Sequence, residues 1–524
     1  MGIDAGPILF ALMLGVLLAA GVAWFVAGLY RRRMLALMRA GPAPDDRRSV
    51  GEPPAVGASP RPPPVLDAAG NRRQMSRQLL AWSLLCLVIG LTHSWLALRF
   101  VYSSDGFSAT RLLVLGLVYA WPMVMAWGLL RRWSWGRVVL GVGIYMVAMA
   151  ILVMLTSDDG QTLAGVAAWL VGVVAIPVVI TLLIGASGRI RAVAPYLLPV
   201  FVLLAASSVY ALNLLAGAAD YEPYWLSVLL GTVGVWGTLA IVVLAPWLVL
   251  AWPVYALARW LAAAYRRKRF SDLGYLFAAY WMVILVASAL PGLQAVGAAS
   301  LMQLLPWLWI PLAAVALPGW LAPPGSPPTL LVLRVFQQDA RVQVLFDRVV
   351  ERWRLSGNTV LIAGTDLVSR TLDPDDLFTF INGRLGSRFI ADRAGLDERL
   401  RGFDLDPDPD GRYRVNECYC FDSTWQVALA ALVREADVVL MDLRGFQPGN
   451  LGCRHELAVL SGADHLRRVV LLHDAGTARA VAEADTAGAP PGRFVWIEAG
   501  RLGRARSEKV LRALFGDEVA DESR

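Results

Sequence analysis

Three side chains that can act as nucleophile, base or metal ligand stand close together in the segment NLGCRHEL, residues 450–457. They are Cys453, His455 and Glu456. On a helix, Cys453 and His455 would point about 200° apart, so they cannot form a catalytic dyad with each other. A helix start could lower the pKa of the Cys453 thiol, whereas burial in a core would make it an inert structural thiol.

A zinc site is a second use for these residues, together with the segment CYC at 418–420. Four nitrogen or sulfur ligands would suit tetrahedral zinc. The spacing C-x-C…C-x-H matches no common zinc motif, so the sequence predicts neither a metal site nor another cofactor. The four ligands would be Cys418, Cys420, Cys453 and His455.

Glu456 is the third possibility. It follows Gly452 by four residues, which places both on one helix face, and a glycine lets a ligand approach the backbone. Asn450 or Gly452 would cap the helix, so that the helix dipole points at the pocket. A carboxylate there could stabilise or attack the oxocarbenium cation that forms when a glycosidic bond breaks. The alternative is a solvent-exposed helical glutamate.

Short apolar runs alternate with helical patterns around this segment, which predicts an α/β domain with a parallel sheet over residues 329–524. Ligands bind beyond the carboxyl ends of such strands. The predicted pocket residues are therefore Arg334, Asp366, Asp442, Arg444, Asn450 and Gly452. The predicted strands lie at 329–336, 358–364, 437–443, 467–474 and 492–498, and about 50 additional residues, 372–421, intrude before the third of them.

The N-terminal part of the chain is a polytopic membrane domain, residues 1–321. Of the 524 residues, 57% are apolar, and the mean hydropathy is +0.54, too high for an ordinary soluble protein. A spanning helix needs about 20 apolar residues. A linker at 40–78, rich in proline and arginine, is expected to be disordered, and 322–328 is a hinge. Nine spans are predicted, near 7–29, 79–101, 112–130, 138–156, 163–184, 196–215, 225–247, 273–291 and 299–321.

Arginine-rich loops follow every second predicted span, for example RRKR at 266–269. Basic loops stay in the cytoplasm, so the N-terminus is predicted outside and the α/β domain inside. The apolar run 225–264 could instead hold two spans broken at Pro246 or Pro253. The RRKR loop and the α/β domain would then lie outside the cell. An abundance of arginine over lysine hints at a GC-rich bacterium, and hence at its cytoplasmic (inner) membrane.

Charge and cysteine usage limit the partners. The isoelectric point of 9.4 would suit nucleic acid, but the basic residues belong to the membrane loops, so a lipid bilayer is the expected partner and nucleic acid is not. The four cysteines would be thiols in a reducing cytosol. The predicted span centres are almost uncharged, with His93 as a polar exception, which disfavours a transporter.

The stretch ALAALVREADVVLMDLRGFQPGNLGCRHELAVL resembles the core of TIR domains. Gly452 to Leu457 occupies the place of their W-C-x-x-E-L type motif, with glycine where tryptophan is usual. The same stretch is similar to nucleoside 2-deoxyribosyltransferases, whose D-x-G-x-x-x-E motif is matched by Asn450, Gly452 and Glu456. The resemblance implies a flavodoxin-like fold, a nucleotide ligand such as NAD, homo-oligomers formed through this domain, and Glu456 as the catalytic residue in cleavage of an N-ribosidic bond.

A calcium-binding loop is a possible interpretation of DPDPDGRYRVNE, residues 406–417. The spacing of Asp406, Asp408, Asp410, Gly411 and Glu417 fits the EF-hand pattern. Two prolines, and Arg414 at the ninth position, argue against it, and an Asp-Gly turn leading into a strand is favoured.

Three functions remain open from the sequence. The first is a membrane-anchored TIR-like effector or signalling protein that cleaves the N-ribosidic bond of NAD or a related nucleotide. The second is a non-catalytic membrane sensor or scaffold with a nucleotide-binding or assembly domain. The third is a transporter with a regulatory domain.

Overall fold

The computed structural model of the protein describes residues 5–40, 64–103, 107–157, 160–185, 188–221, 223–335, 339–363, 379–380 and 383–517. These residues divide into two compact units. The first unit holds 5–29 and 79–316, and the second holds 30–40, 64–78 and the described residues from 317 onwards. The predicted membrane domain, 1–321, thus differs from the first unit, because residues 30–40, 64–78 and 317–321 fall in the second unit.

Long apolar helices build the first unit. Within the part of the chain that the structure describes, eight helical stretches are long and apolar enough to cross a membrane. The bounds of the helices are Ala5–Ala40 (α1), Ala68–Phe100 (α2), Ala109–Tyr119 (α3), Pro122–Leu130 (α4), Trp135–Thr156 (α5), Leu163–Gly185 (α6), Gly188–Ala219 (α7), Tyr224–Arg266 (α8), Asp272–Val296 (α9) and Trp309–Ala316 (α10), with α1 and α2 extending into the second unit.

The eighth stretch, Asp272–Ala316, doubles back at Gly297, which has a positive φ of 64° that favours glycine. A 3₁₀ helix, Gly297–Leu308, follows and runs back along α9. The Trp307 indole nitrogen donates a hydrogen bond to the Ala278 carbonyl at 2.9 Å. In a straight helix these residues would lie about 40 Å apart. This stretch therefore supplies both of the last two predicted spans, and nine predicted spans correspond to eight helical stretches.

The long apolar run 225–264 lies inside one helix, α8. Its non-helical residue is Gly234, with φ 70° and ψ 179°, where two helical pieces meet at a kink. Pro246 and Pro253 lie within the helix, so neither forms the break that the sequence suggested as an alternative.

A parallel sheet of seven strands forms the centre of the second unit, in the order β3-β4-β2-β1-β5-β6-β7. Each pairing between neighbouring strands is parallel. The central strands Thr329–Arg334, Asn358–Ile362 and Val438–Asp442 are buried throughout, as expected where helices cover both faces of a parallel sheet. Their bounds are Thr329–Arg334 (β1), Asn358–Ile362 (β2), Phe389–Ile390 (β3), Val415–Cys420 (β4), Val438–Asp442 (β5), Arg468–His473 (β6) and Phe494–Glu498 (β7).

Helices cover the sheet on both faces and create two cores. Leu429, Leu457 and Ala482 lie in the first core, and Val349 and Leu514 lie in the second. The helices of this unit are Pro318–Leu321 (α11), Asp339–Leu345 (α12), which continues through a π-helical turn at Phe346–Val350 into Glu351–Trp353 (α13), then Arg393–Arg401 (α14), Trp425–Glu435 (α15), Leu451–Ser461 (α16), Arg479–Thr486 (α17) and Arg504–Phe515 (α18).

The five predicted strands are confirmed as β1, β2, β5, β6 and β7. The segment 372–421, in which a strand was expected after the Asp-Gly turn, contributes two further strands, β3 and β4, which extend the sheet beyond β2.

Both described flanks of the predicted disordered linker are ordered parts of the second unit. On α1, Tyr30 and Met34 are buried, and the Tyr30 ring meets the Phe380 ring edge-on at 5.3 Å. On α2, the Asn71 amide donates to the Arg352 carbonyl at 2.7 Å. Disorder was therefore wrongly predicted for residues 64–78, whereas residues 41–63 lie outside the described residues.

Candidate functional site

The order of the strands reverses between β1 and β5. From β1 the chain passes to β2, β3 and β4 on one side, and β5, β6 and β7 lie on the other. Ligands of parallel sheets bind beyond the carboxyl ends of the strands at such a reversal. Arg334 ends β1 and Asp442 ends β5, and the two are register partners, so the structure brings these predicted pocket residues side by side.

The side chains of Asp442 and Arg444 form an ion pair with each other. The Arg444 guanidinium donates from Nε to Asp442 Oδ1 at 2.7 Å and from Nη2 to Oδ2 at 2.5 Å. It also donates to the backbone carbonyls of Ala499, at 3.3 Å, and Arg341, at 3.2 Å. Both side chains are almost fully buried. The pair thus fixes the loop after β5, and substrate contacts by these two residues stay a prediction.

The loop between β5 and α16 is closed by further hydrogen bonds. Gly445 adopts a φ of 76°, and its N–H donates to the Asp474 carboxylate at 3.0 Å. The Asn450 side chain accepts from the Gln447 N–H at 2.7 Å and makes no cap bond to the first turn of α16. Asn450 therefore holds the loop shape, while Gly452 stands exposed in the first turn.

Glu456 is buried, with 4% of its surface exposed. Within the described part of the chain, its Oε2 atom has no hydrogen-bond partner. Burial raises the pKa of Glu456 to about 8, and the positive charge of Arg334 acts in the opposite direction. Arg334 is itself buried, and its Nη1 reaches the Ile362 carbonyl at 3.5 Å. Glu456 is therefore mostly a neutral carboxylic acid at pH 7, and the alternative of an exposed glutamate is wrong.

The side chains of Cys453 and His455 lie in surroundings that differ from those of Glu456. Cys453 lies in the first core, where burial and then the Glu456 charge raise the pKa of its thiol to about 12. A thiol of that kind is neutral and a poor nucleophile at pH 7. The His455 ring instead meets the Trp425 ring edge-on, with centroids 5.5 Å apart.

The other cysteines are also buried thiols. Cys418 and Cys420 lie on β4, and burial raises the pKa of both, to about 12 for Cys418. Among the described residues, no group of three or more His, Cys, Asp and Glu side chains could hold a metal ion.

The segment 406–417, which fits the EF-hand pattern, forms a tight turn. Asp408 and Arg412 are bridged by a backbone hydrogen bond of 2.8 Å, and Gly411 has a φ of 75°. The Asp408 carboxylate is paired with the Arg414 guanidinium, at 2.8 Å from Nη2 to Oδ1. The Asp408 carboxylate thus already has a cationic partner, the Arg414 side chain.

Two further residues bear on the predicted pocket at this edge of the sheet, Asp366 and Trp425. Asp366, a predicted pocket residue, lies outside the described residues. Trp425 was not singled out from the sequence, although it opens α15 just after the carboxyl end of β4 and contacts the helix of Glu456. An aromatic residue at the first turn after a buried strand was the available signal.

A groove in the first unit has a volume of about 600 Å³. It is lined by α1, α7 and α9, with Leu12, Val202 and Val283 among its residues and Tyr210 and Asn213 as its polar ones. No charged residue lines it, which gives the transporter alternative no ion pathway at this place. His93, elsewhere in this unit, is fully buried, and its Nδ1 lies 3.3 Å from the Gln303 carbonyl.

Comparisons of the chain with profiles of protein families, with curated proteins and with solved structures found no match.

Proposed function

We propose that the protein is a membrane-anchored TIR-like effector or signalling protein whose α/β unit cleaves the N-ribosidic bond of NAD or a related nucleotide. Glu456 is the catalytic carboxylate of this proposal. The observation that carries it is the buried carboxyl group of Glu456, with its Oε2 unbonded within the described residues, on the first helix after β5. An unsatisfied buried carboxyl group is costly for a protein, and such groups concentrate at functional sites.

The order of five strands supports the resemblance to a flavodoxin-like sheet. Without β3 and β4, the order is β2-β1-β5-β6-β7, which corresponds to the 2-1-3-4-5 order of such sheets. In this interpretation β3 and β4 are an addition at the β2 edge. The reversal between β1 and β5 is then the place where a nucleotide would bind.

One carboxylate is sufficient for the chemistry. The bond between the nicotinamide nitrogen and ribose C1′ breaks, and its electron pair stays on nicotinamide, which leaves as a neutral molecule without needing an acid. Ionised Glu456 stabilises the oxocarbenium cation. Water adds to C1′ and passes its proton to Glu456, so NAD⁺ and water give ADP-ribose, nicotinamide and a proton. The positive charge of the bound nicotinamide would favour the ionised form of Glu456.

The membrane location is part of the same proposal. The apolar helices would span the inner membrane of a bacterium, with the N-terminus outside and the α/β unit in the cytoplasm, as the arginine-rich loops indicate. The α/β units of several copies would associate as homo-oligomers, and such clustering would regulate the activity.

The test uses the full-length protein in lipid nanodiscs, because residues 30–40 and 64–78 belong to the α/β unit. Nicotinamide release from NAD is measured with the protein alone and clustered on beads. We expect Glu456→Gln and Glu456→Ala to reduce the rate at least about 100-fold. Glu483→Gln, on an exposed helical glutamate, is the matched control and should retain the rate. Activity that survives Glu456→Ala would exclude Glu456 as the catalytic residue.

The second candidate is a non-catalytic sensor or scaffold that binds a nucleotide. The closure of Glu456 from solvent and its neutral form at pH 7 favour it. Nucleotide binding without nicotinamide release, with the protein clustered, would support this function over the first.

A further inference from the structure

The Trp425 indole rests on the helix of Glu456. A side chain at Gly452 would begin 3.9 Å from the Trp425 Cη2 atom, which is ordinary van der Waals contact. One turn along, the same indole meets the His455 ring at 5.5 Å and an interplanar angle of 86°. The indole therefore lies within van der Waals reach of the first turn of this helix.

The backbone just before Trp425 is anchored at two places. Thr424 is buried, and its hydroxyl donates to the Ile390 carbonyl of β3 at 2.9 Å and accepts from the Phe421 N–H at 3.1 Å. The Asp422 N–H donates to the Met38 carbonyl of α1 at 3.3 Å. Trp425 is thus held by the sheet and by α1, independently of the loop that precedes α16.

The indole lies on the part of the helix towards which the Glu456 side chain extends. Gly452 and Glu456 are four residues apart and share one face. Helical side chains lean towards the N-terminus, so the Glu456 side chain covers the turn that holds Gly452. The indole lies against that same turn. We infer that Trp425 is a positioning residue that shields Glu456 from water and thereby sets the protonation state of its carboxyl group.

Besides burial, few charged groups affect the protonation of the Glu456 carboxyl group. Among the described residues, the titratable groups that act on Glu456 are Arg334 at the end of β1 and Cys453 on its own helix. Arg334 favours the ionised form, and the Cys453 thiol is neutral near pH 7. Burial therefore dominates the pKa of Glu456, and removal of its cover should change that pKa.

The test measures protonation without needing turnover. Full-length protein in nanodiscs is treated between pH 5 and pH 10 with dicyclohexylcarbodiimide, which reacts with protonated buried carboxyl groups. Mass spectrometry then gives the pH at which labelling of Glu456 falls to half. We expect this midpoint near pH 8 in the unchanged protein. In Trp425→Ala it should fall by about one pH unit or more, because water reaches the carboxyl group.

The matched control is Trp496→Ala. Trp496 also meets a histidine ring edge-on, His473 at 5.9 Å, but on β7. We expect this variant to keep the midpoint, and Trp425→Phe to keep the midpoint close to that of the unchanged protein. If Trp425→Ala does not fold, Trp425→Leu should give a smaller shift in the same direction. An unchanged midpoint in the folded Trp425 variants, or an equal shift in Trp496→Ala, would overturn the inference.

The consequence for catalysis rests on the proposed function, whereas the labelling midpoint does not. If NAD is cleaved, Trp425→Ala should move the rising limb of the rate against pH downwards by the same amount as the midpoint. Absence of nicotinamide release with an intact labelling shift would contradict the proposed function and leave the shielding role of Trp425 supported.

Discussion

Asp442 and Arg444 form a two-pronged ion pair at the carboxyl end of β5, with Nε–Oδ1 and Nη2–Oδ2 distances of 2.7 and 2.5 Å. Removing one partner of a buried pair leaves the other charge without compensation, at a cost of about 3–5 kcal/mol. We therefore expect Arg444→Ala to lower the free energy of unfolding by about this amount. Thermal unfolding of the full-length protein, followed by intrinsic fluorescence, measures the loss.

The control for this prediction is the exposed pair Arg479–Glu483, in which the side chains are 43% and 47% exposed. Exposed ion pairs contribute little to stability, so Arg479→Ala should change the unfolding temperature only slightly. Equal effects of Arg444→Ala and Arg479→Ala would mean that the Asp442–Arg444 pair does not hold the loop.

Glu456 should make the stability of the protein depend on pH. Its folded pKa of about 8 lies above its ordinary value of 4.5. Between these two values the folded state keeps a proton that the unfolded state has released, so stability falls as the pH rises, by about 1.4 kcal/mol per pH unit. Below about pH 4.5 and above about pH 8 this contribution is constant.

Glu456→Gln removes that dependence, so its unfolding temperature should rise relative to the unchanged protein as the pH increases from 5 to 8. Melting curves of both proteins across this range test the expectation, with Glu483→Gln as the control that follows the unchanged protein. A constant difference between Glu456→Gln and the unchanged protein would show that Glu456 has an ordinary pKa.

Asn71 connects α2 to the α/β unit. Its buried amide donates to the Arg352 carbonyl at 2.7 Å and to the Ser356 hydroxyl at 2.8 Å. Loss of both bonds should cost about 1–3 kcal/mol. We expect Asn71→Ala to lower the unfolding temperature clearly. Arg73→Ala, whose side chain is 72% exposed two residues away, should have little effect, and a reversed order of the two would contradict this contact.

Parts of this architecture follow directly from the sequence. The five apolar strands were predictable because burial on both faces selects continuous apolar runs. A strand was expected after the Asp-Gly turn, but the bounds and pairing of the polar strand β4 were not, because its Asn416 is stabilised by a residue outside the strand: the side chain accepts from the Asp404 N–H at 2.8 Å and donates to its carbonyl at 3.0 Å. Local pattern contains no trace of such a pairing.

The candidate site shows the same division. Helical spacing alone separates the side chains of Cys453, His455 and Glu456, because that spacing depends on residues of one helix. The mutual pairing of Asp442 and Arg444 and the contact of Trp425 with His455 depend on how separate elements meet. Those contacts decide which side chains are available to a ligand.

The last prediction concerns calcium and the turn at residues 406–417. Calcium needs several oxygen ligands at about 2.3–2.6 Å, with carboxylates as the main donors. Both Asp408 oxygens instead accept from Arg414 Nε, at 2.9 and 3.1 Å, and the Asp408 side chain is 1% exposed. Calcium would have to displace a buried guanidinium, which would then lack its main counter-charge.

Millimolar calcium should therefore leave the unfolding temperature unchanged. Asp408→Asn should lower it whether or not calcium is present, by on the order of 3 kcal/mol in stability, because the buried Arg414 guanidinium loses the charge of the Asp408 carboxylate, and its contact with Asp404 is longer, at 3.4 Å. A chelator supplies the calcium-free reference, and magnesium controls for ionic strength. If calcium raised the unfolding temperature and Asp408→Asn abolished that increase, the turn would be a metal-binding loop, and the Asp408–Arg414 pair would be its empty state.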